Sequence, residues 1–224
     1  MMARDTADLI RRLAAAGTPV RPLARPWTRT AMSCAVSLPY LWLLYLVWPH
    51  ADAAVLMDRR FIIEQGAALA TGLTAAAAAF ATIVPGASRR IVLAPIVPLA
   101  LWMGNLERLC AGDWSASGHL PAILIHWACF PATVVAGIVP AVAIVVMLRR
   151  GAPMTPRLTT ALGALAVAGL ANFGIRFVHP FDASFVVLAW HVAAVFALSV
   201  AVASFGNRVF SWRKTIAASG TGAT

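Results

Sequence analysis

Charge is what this sequence lacks. Only 12% of its 224 residues are Asp, Glu, Lys or Arg while 61% are hydrophobic, and acids are scarcer still, eight against eighteen bases. Mean hydropathy is +0.81. No water-facing globule of this size carries so little charge, so a membrane class is the first to test. Alternation of apolar and polar residues is also missing, which argues against a β-barrel, whose outward and lumen faces impose it. The three cysteines form no CxxC and no HExxH occurs, so no metal site of recognised spacing is present. Without a nucleophile or a phosphate loop beside the histidines, an enzyme is the weakest reading, and no cofactor is expected.

What is present is a series of stretches without a single charged side chain: 30–51, 65–88, 91–106, 114–148, 158–175 and 183–207. Crossing the hydrocarbon core takes roughly 20 apolar residues as a helix, so these predict an all-α bundle of six transmembrane helices. The third run rises only about 24 Å, so its helix has to thin the bilayer or run on towards Cys110 with Arg108 snorkelling. In the fourth, the apolar part is concentrated after His126. The first run lies some 30 residues in and no cleavage site follows it, so it reads as a retained helix and not a removable signal. The expected organisation is a cytoplasmic helix and arm over 1–29, a transmembrane domain over 30–205 and a cytoplasmic tail over 206–224.

The arginines set the orientation. Residues 1–29, the loops 85–90 and 149–157 and the tail from 206 hold fourteen basic residues, whereas the opposite connections hold Arg59, Arg60, Arg108 and Arg176. Lys and Arg resist translocation, so the first set is cytoplasmic, both termini lie inside and the number of spans is even. Asp52, Asp58, Glu64, Glu107, Asp113 and Asp182 fall on or near the outer side. The excess of base therefore reads as topology and contact with anionic membrane lipid, with no direct contact to nucleic acid.

Residues 5–16, DTADLIRRLAAA, predict a compact amphipathic helix, with Asp5 as cap, Asp8 in the first turn and Leu9, Ile10, Leu13 and Ala14 on one side. Gly17 and Pro19 end it. The stretch TPVRPLARPWTR, with three prolines and three arginines, predicts an extended arm leading to the first span. The helix suits two roles equally: it presents Leu9, Ile10 and Leu13 to a groove on a soluble partner, with Arg11 and Arg12 adding charge contacts, or it lies on the inner leaflet.

Inside the spans, Glu64, Asn105, Asn172, Arg176 and His191 stand out, because ionisable groups in hydrocarbon are costly. Glu64, Arg176 and the Glu107/Arg108 pair are expected at the outer interface, in reach of water. Asn172 and His191 lie deeper and are expected to hydrogen-bond between helices. Prolines at 39, 95, 98, 131 and 140 are candidates for breaks or kinks, and the Gly/Ala-rich faces of 66–79 and 161–171 suit close helix contact. On the outer side Cys110 and Cys129 end the third and fourth spans, near His119, His126, Asp113, His179 and Asp182. Such a group suits a metal or oxidant response, while an ordinary structural or interfacial placement is the favoured reading of the residues alone; Cys34 reads as a packing residue.

The run DLIRRLAAAGTPVRPLARP, then PGASRR after the second span, RRGAPMTPRLT after the fourth and the Trp190–His191 pair in the sixth, resembles the NrsF family of membrane anti-sigma factors. The resemblance implies a bacterial inner-membrane regulator whose cytoplasmic portion sequesters an extracytoplasmic-function sigma factor and releases it on an envelope signal. It makes Leu9, Ile10, Arg12, Leu13, Arg21, Pro22 and Leu23 the candidate partner-binding residues. It also implies an outer cysteine pair. Cys129 matches the first member, but Val178 and His179 stand at the second position, before Pro180, so Cys110 or His179 has to substitute. Against this stands a small transporter or channel lined by Glu64, Arg176, Asn172 and His191, though no buried carboxylate pair and no clear inverted repeat accompany them. A membrane enzyme would use His126, His179, His191 and Asp182. Oligomeric state stays open.

Overall fold

Helix starts in this chain coincide with residues suited to start them. The computed structural model describes residues 2–17, 23–48, 56–117, 129–151 and 155–177, and among them there is helix and no strand. The helices are α1 (Met2–Ala16), α2 (Pro26–Val47), α3 (Arg59–Ala81), α4 (Arg89–Leu93), α5 (Ile96–Ser117), α6 (Cys129–Arg149) and α7 (Pro156–Ile175). Pro26 and Pro156 open α2 and α7, where the missing N–H costs nothing. Asp58 and Ser88 cap α3 and α4 by accepting hydrogen bonds from the backbone N–H groups of Arg60 and Arg90, at 2.7 and 3.3 Å. Gly86, at φ 77°, makes the turn between those two helices in a conformation that side chains disfavour. Pro95 separates α4 from α5, while Pro39 and Pro140 lie inside α2 and α6.

Three boundaries differ from the sequence reading. The N-terminal helix reaches back to Met2, so Asp5 sits inside its first turn and not at the cap position, and Asp8 lies beyond that turn. The helix of the third apolar run is longer than the run itself: of the two options α5 takes the continuation past Arg108 and Cys110, and Trp114–Ser117 of the fourth run complete it. Among the described residues four helices are long and apolar enough to cross a membrane: α2, α3, α6 from Pro131 and α7. Those four point to a membrane protein. The run 183–207 lies outside the described residues.

The long helices run up and down. Arg29 near the start of α2 reaches the end of α6, where its Nη2 donates to the Met147 carbonyl, and Thr82 just past α3 meets Thr159 at the start of α7. At the other end, Leu41 of α2 packs on Gly174 of α7, and Glu64 of α3 pairs with Arg176. The most extensive contact joins α3 to α7. A Cβ built on Gly169 would stand 2.6 Å from the Gly72 nitrogen and 2.7 Å from the Ala68 oxygen, so only glycine lets these backbones approach. This is the close contact expected of the Gly/Ala-rich faces; lipid gives apolar side chains no reason to associate, and small residues that admit intimate packing take over. Around that seam Ala75, Ala79, Phe80, Ile144, Leu148, Ala166 and Leu170 form the main core. A second cluster joins Leu41 with Ala132, Ala136 and Ala171, and a third places Trp102 and Leu106 of α5 on Ala67 and Ala68 of α3.

Candidate functional site

One end of the bundle is basic. Arg25 before α2, Arg89 and Arg90 of α4, Arg149 and Arg150 at the end of α6 and Arg157 of α7 are all exposed there. Arg29, one turn into α2, is buried at 5% exposure with its guanidinium carbon 4.6 Å from the centroid of the Phe80 ring. A π face and the free carbonyls at a helix C-terminus are both favourable partners for a cation. Among the described residues, the start of α2 and the two loops grouped with it on charge thus lie at one end of the fold.

α1 precedes that end, separated from it by the arm. Leu9, Ile10 and Leu13 are 57%, 61% and 65% exposed, so an apolar face is left without cover. Arg12 is held by Asp8 one turn earlier, Nη2 to Oδ2 at 2.9 Å, an i,i+4 pair on a solvated surface worth about 0.3 kcal/mol. Of the arm's candidate residues, Leu23 is exposed, while Arg21 and Pro22 lie outside the described residues.

The opposite end holds a buried ion pair. Arg176, the C-cap of α7, donates from Nε to Glu64 Oε1 at 3.0 Å and from Nη2 to Oε2 at 3.1 Å, with the two side chains 8% and 1% exposed. The two groups do lie at the ends of their helices, but the expected reach of water is corrected: they neutralise one another through two parallel hydrogen bonds, which lets both leave water. The next residue, Phe177, packs edge-on against Phe173, Phe61 and Tyr45, at centroid distances of 5.2, 5.4 and 6.2 Å. Asn172, expected to bond between helices, is fully buried, and among the described residues neither its oxygen nor its nitrogen has a partner. Ala68 and Gly72, which meet the adjoining turn of α7, have no side-chain group to offer. Gln65, Trp102 Nε1 and Asn105 Nδ2 are buried unpaired as well.

Sequence reasoning singled out Glu64 and Arg176 separately but missed that they pair. An up-and-down layout was the available signal, since it puts the start of α3 level with the end of α7. It also missed Arg29, and Tyr40, whose hydroxyl donates to the Val135 carbonyl at 2.7 Å. The candidate sensor lies outside what is described: Cys110 falls within α5 and Cys129 begins α6, both without described side chains, and His179 and the other four histidines fall outside the described residues. Cys34 is a buried free thiol.

A family model matches residues 13–212: NrsF, negative regulator of sigma F. The chain belongs to that family, which makes it a negative regulator of a sigma factor and gives it a sigma factor as partner. The match spans the bundle and the arm but takes in only the last turn of α1, so Leu9, Ile10 and Arg12 precede it and Leu13 begins it. Searches of curated proteins and of solved structures matched nothing.

Proposed function

We propose that this member of the NrsF family sequesters an extracytoplasmic-function sigma factor at the cytoplasmic face of a bacterial inner membrane and releases it on a metal or oxidative signal at the other face. In this reading six spans place both termini inside, and the basic end of the bundle faces the cytoplasm, as arginines that resist translocation require. Leu9, Ile10 and Leu13 enter an apolar groove of the sigma factor, Arg12 and Arg21 add charge contacts, and Pro22 and Leu23 hold the arm extended. Cys129, with Cys110 or His179, receives the signal.

One observation carries the reading: an amphipathic helix with an uncovered apolar face precedes the basic end of a membrane bundle whose family regulates a sigma factor. The test compares full-length protein with a form lacking residues 1–24, both extracted in mild detergent and used to capture soluble proteins. Capture of a sigma factor by the full-length form alone supports the assignment, and equal capture by both removes α1 and the arm as the binding segment.

A further inference from the structure

One arginine of the basic end differs from its neighbours. Arg29 is buried one turn into α2, between the Met147 carbonyl, which accepts from Nη2, and the Phe80 ring under its guanidinium. Both partners favour a cation, but neither cancels its charge. Its Nη1 has no partner among the described residues. No carboxylate of described placement stands nearby either: Asp58 and Glu64 are at the start of α3, at the opposite end, and Asp8 of α1 is held by Arg12. What surrounds Arg29 is more positive charge. Arg25 lies one turn before it, its carbonyl accepting the Arg29 backbone N–H at 3.1 Å, and Arg150, three residues after Met147, is near enough for its charge to act on Arg29. Gly151 lies against Ile83, just past α3, and seats the turn that carries Arg149 and Arg150. Cations gathered in this way repel one another, and a buried one has little water to screen it, so the place calls for an anion that the described residues do not supply.

Depth in the bundle selects the anion. Trp27, exposed on α2 two residues before Arg29, is of the type that settles at headgroup level. Further from this end, Met32 and Val36 of α2 and Val142, Val145 and Val146 of α6 are exposed apolar side chains, on two helices that stay neighbours as far as Tyr40 and Val135. A molecule with an anionic head and apolar chains matches both features, whereas an acidic peptide matches only the first. The geometry points to a phosphate site for an anionic phospholipid where α2 meets α6: Arg25 and Arg150 take the headgroup phosphate, buried Arg29 adds a fixed charge behind them, and the acyl chains lie along the outward apolar faces of the two helices. Guanidinium groups suit this task because their N–H groups match phosphate oxygens in pairs. Arg25 and Arg150 touch the lipid, and Arg29 is a positioning residue. The site rests on the bundle lying in a membrane and not on retention of a sigma factor.

The test uses the full-length chain, delipidated in mild detergent, and reads bound lipid by native mass spectrometry over a titration. Phosphatidylglycerol should bind at least tenfold more tightly than phosphatidylcholine of the same chains. Arg25→Gln with Arg150→Gln, two changes at exposed positions, should weaken phosphatidylglycerol at least fivefold, and Arg29→Gln at least threefold, with phosphatidylcholine unchanged in both. Arg89→Gln, which removes the same charge from α4, should stay within twofold of the parent chain. Should Arg29→Gln fail to fold, the exposed pair decides. Equal binding of the two lipids overturns the site, as does a loss at Arg89 matching that at Arg25 and Arg150, which would mean diffuse attraction. Inorganic phosphate that displaces phosphatidylglycerol at equal concentration would make the occupant a free anion and reject the lipid. Unchanged lipid binding in the Arg25/Arg150 variant, together with lost capture of a sigma factor, would assign these arginines to the protein partner instead.

Discussion

The helices α3 and α7 on one side, and α2 and α6 on the other, are all long and apolar enough to cross a bilayer, yet they are built to opposite rules. In α3 and α7, 61% and 67% of the apolar window is buried; in α2 and α6, 28% and 33%. The most apolar of the four, α6, is among the least buried, and the least apolar, α3, is among the most. In water the order would be reversed. Here the solvent is itself hydrocarbon, so Val134, Ile138, Val142 and Val146 of α6 can face outward freely, while α3 and α7 turn inward many alanines, glycines and threonines and the Glu64–Arg176 pair beside Phe80 and Leu170. The lesson is that hydrophobicity alone does not decide which helices of this bundle are central.

Substitutions on the two helix pairs should therefore diverge, and unfolding in detergent and denaturant measures by how much. The largest effect belongs to Glu64→Leu, which removes both parallel hydrogen bonds to Arg176 and should cost about 3–5 kcal/mol. Gly169→Val forces apart the backbones of α3 and α7 and should cost about 1–3 kcal/mol by overpacking. Gly66→Ala gives the contrast on α3 itself: its Cβ meets no atom within 4 Å, so the change should stabilise the helix by up to about 1 kcal/mol. Tyr40→Phe, which removes an interhelical hydrogen bond between α2 and α6, should cost about 0.6 kcal/mol. The smallest effect is expected at the outward face of α6, where Val142→Leu should stay within about 0.5 kcal/mol. A Val142 variant as damaging as the one at Gly169 would mean that α6 buries that face against another helix.

The candidate site was legible in part, for reasons that differ by residue. The apolar face of α1 could be read because Leu9, Ile10 and Leu13 recur at helical spacing. The basic end could be read because its arginines cluster between charge-free runs. Burial of Arg29 could not, since a single arginine beside a span looks the same whether it snorkels or folds back over Phe80. Neither could the pairing of Glu64 with Arg176, 112 residues apart. Depth in a span marks Asn172 as buried but does not name its partner, and the facing residues of α3, Ala68 and Gly72, carry no side-chain group for it.

The sequence by itself determined that the chain is a set of apolar helices with one basic end, because the width of hydrocarbon and the cost of moving arginine across it leave their mark residue by residue. It also marked helix starts, through Pro26, Asp58, Ser88 and Pro156, since caps act within one turn. Only the tertiary structure decided which helices are central and which residues meet. Small residues on a helix declare that something can come close, but not what, and the partner is chosen by how whole surfaces fit: Gly169 against Gly72, Thr159 against Thr82, Arg176 against Glu64.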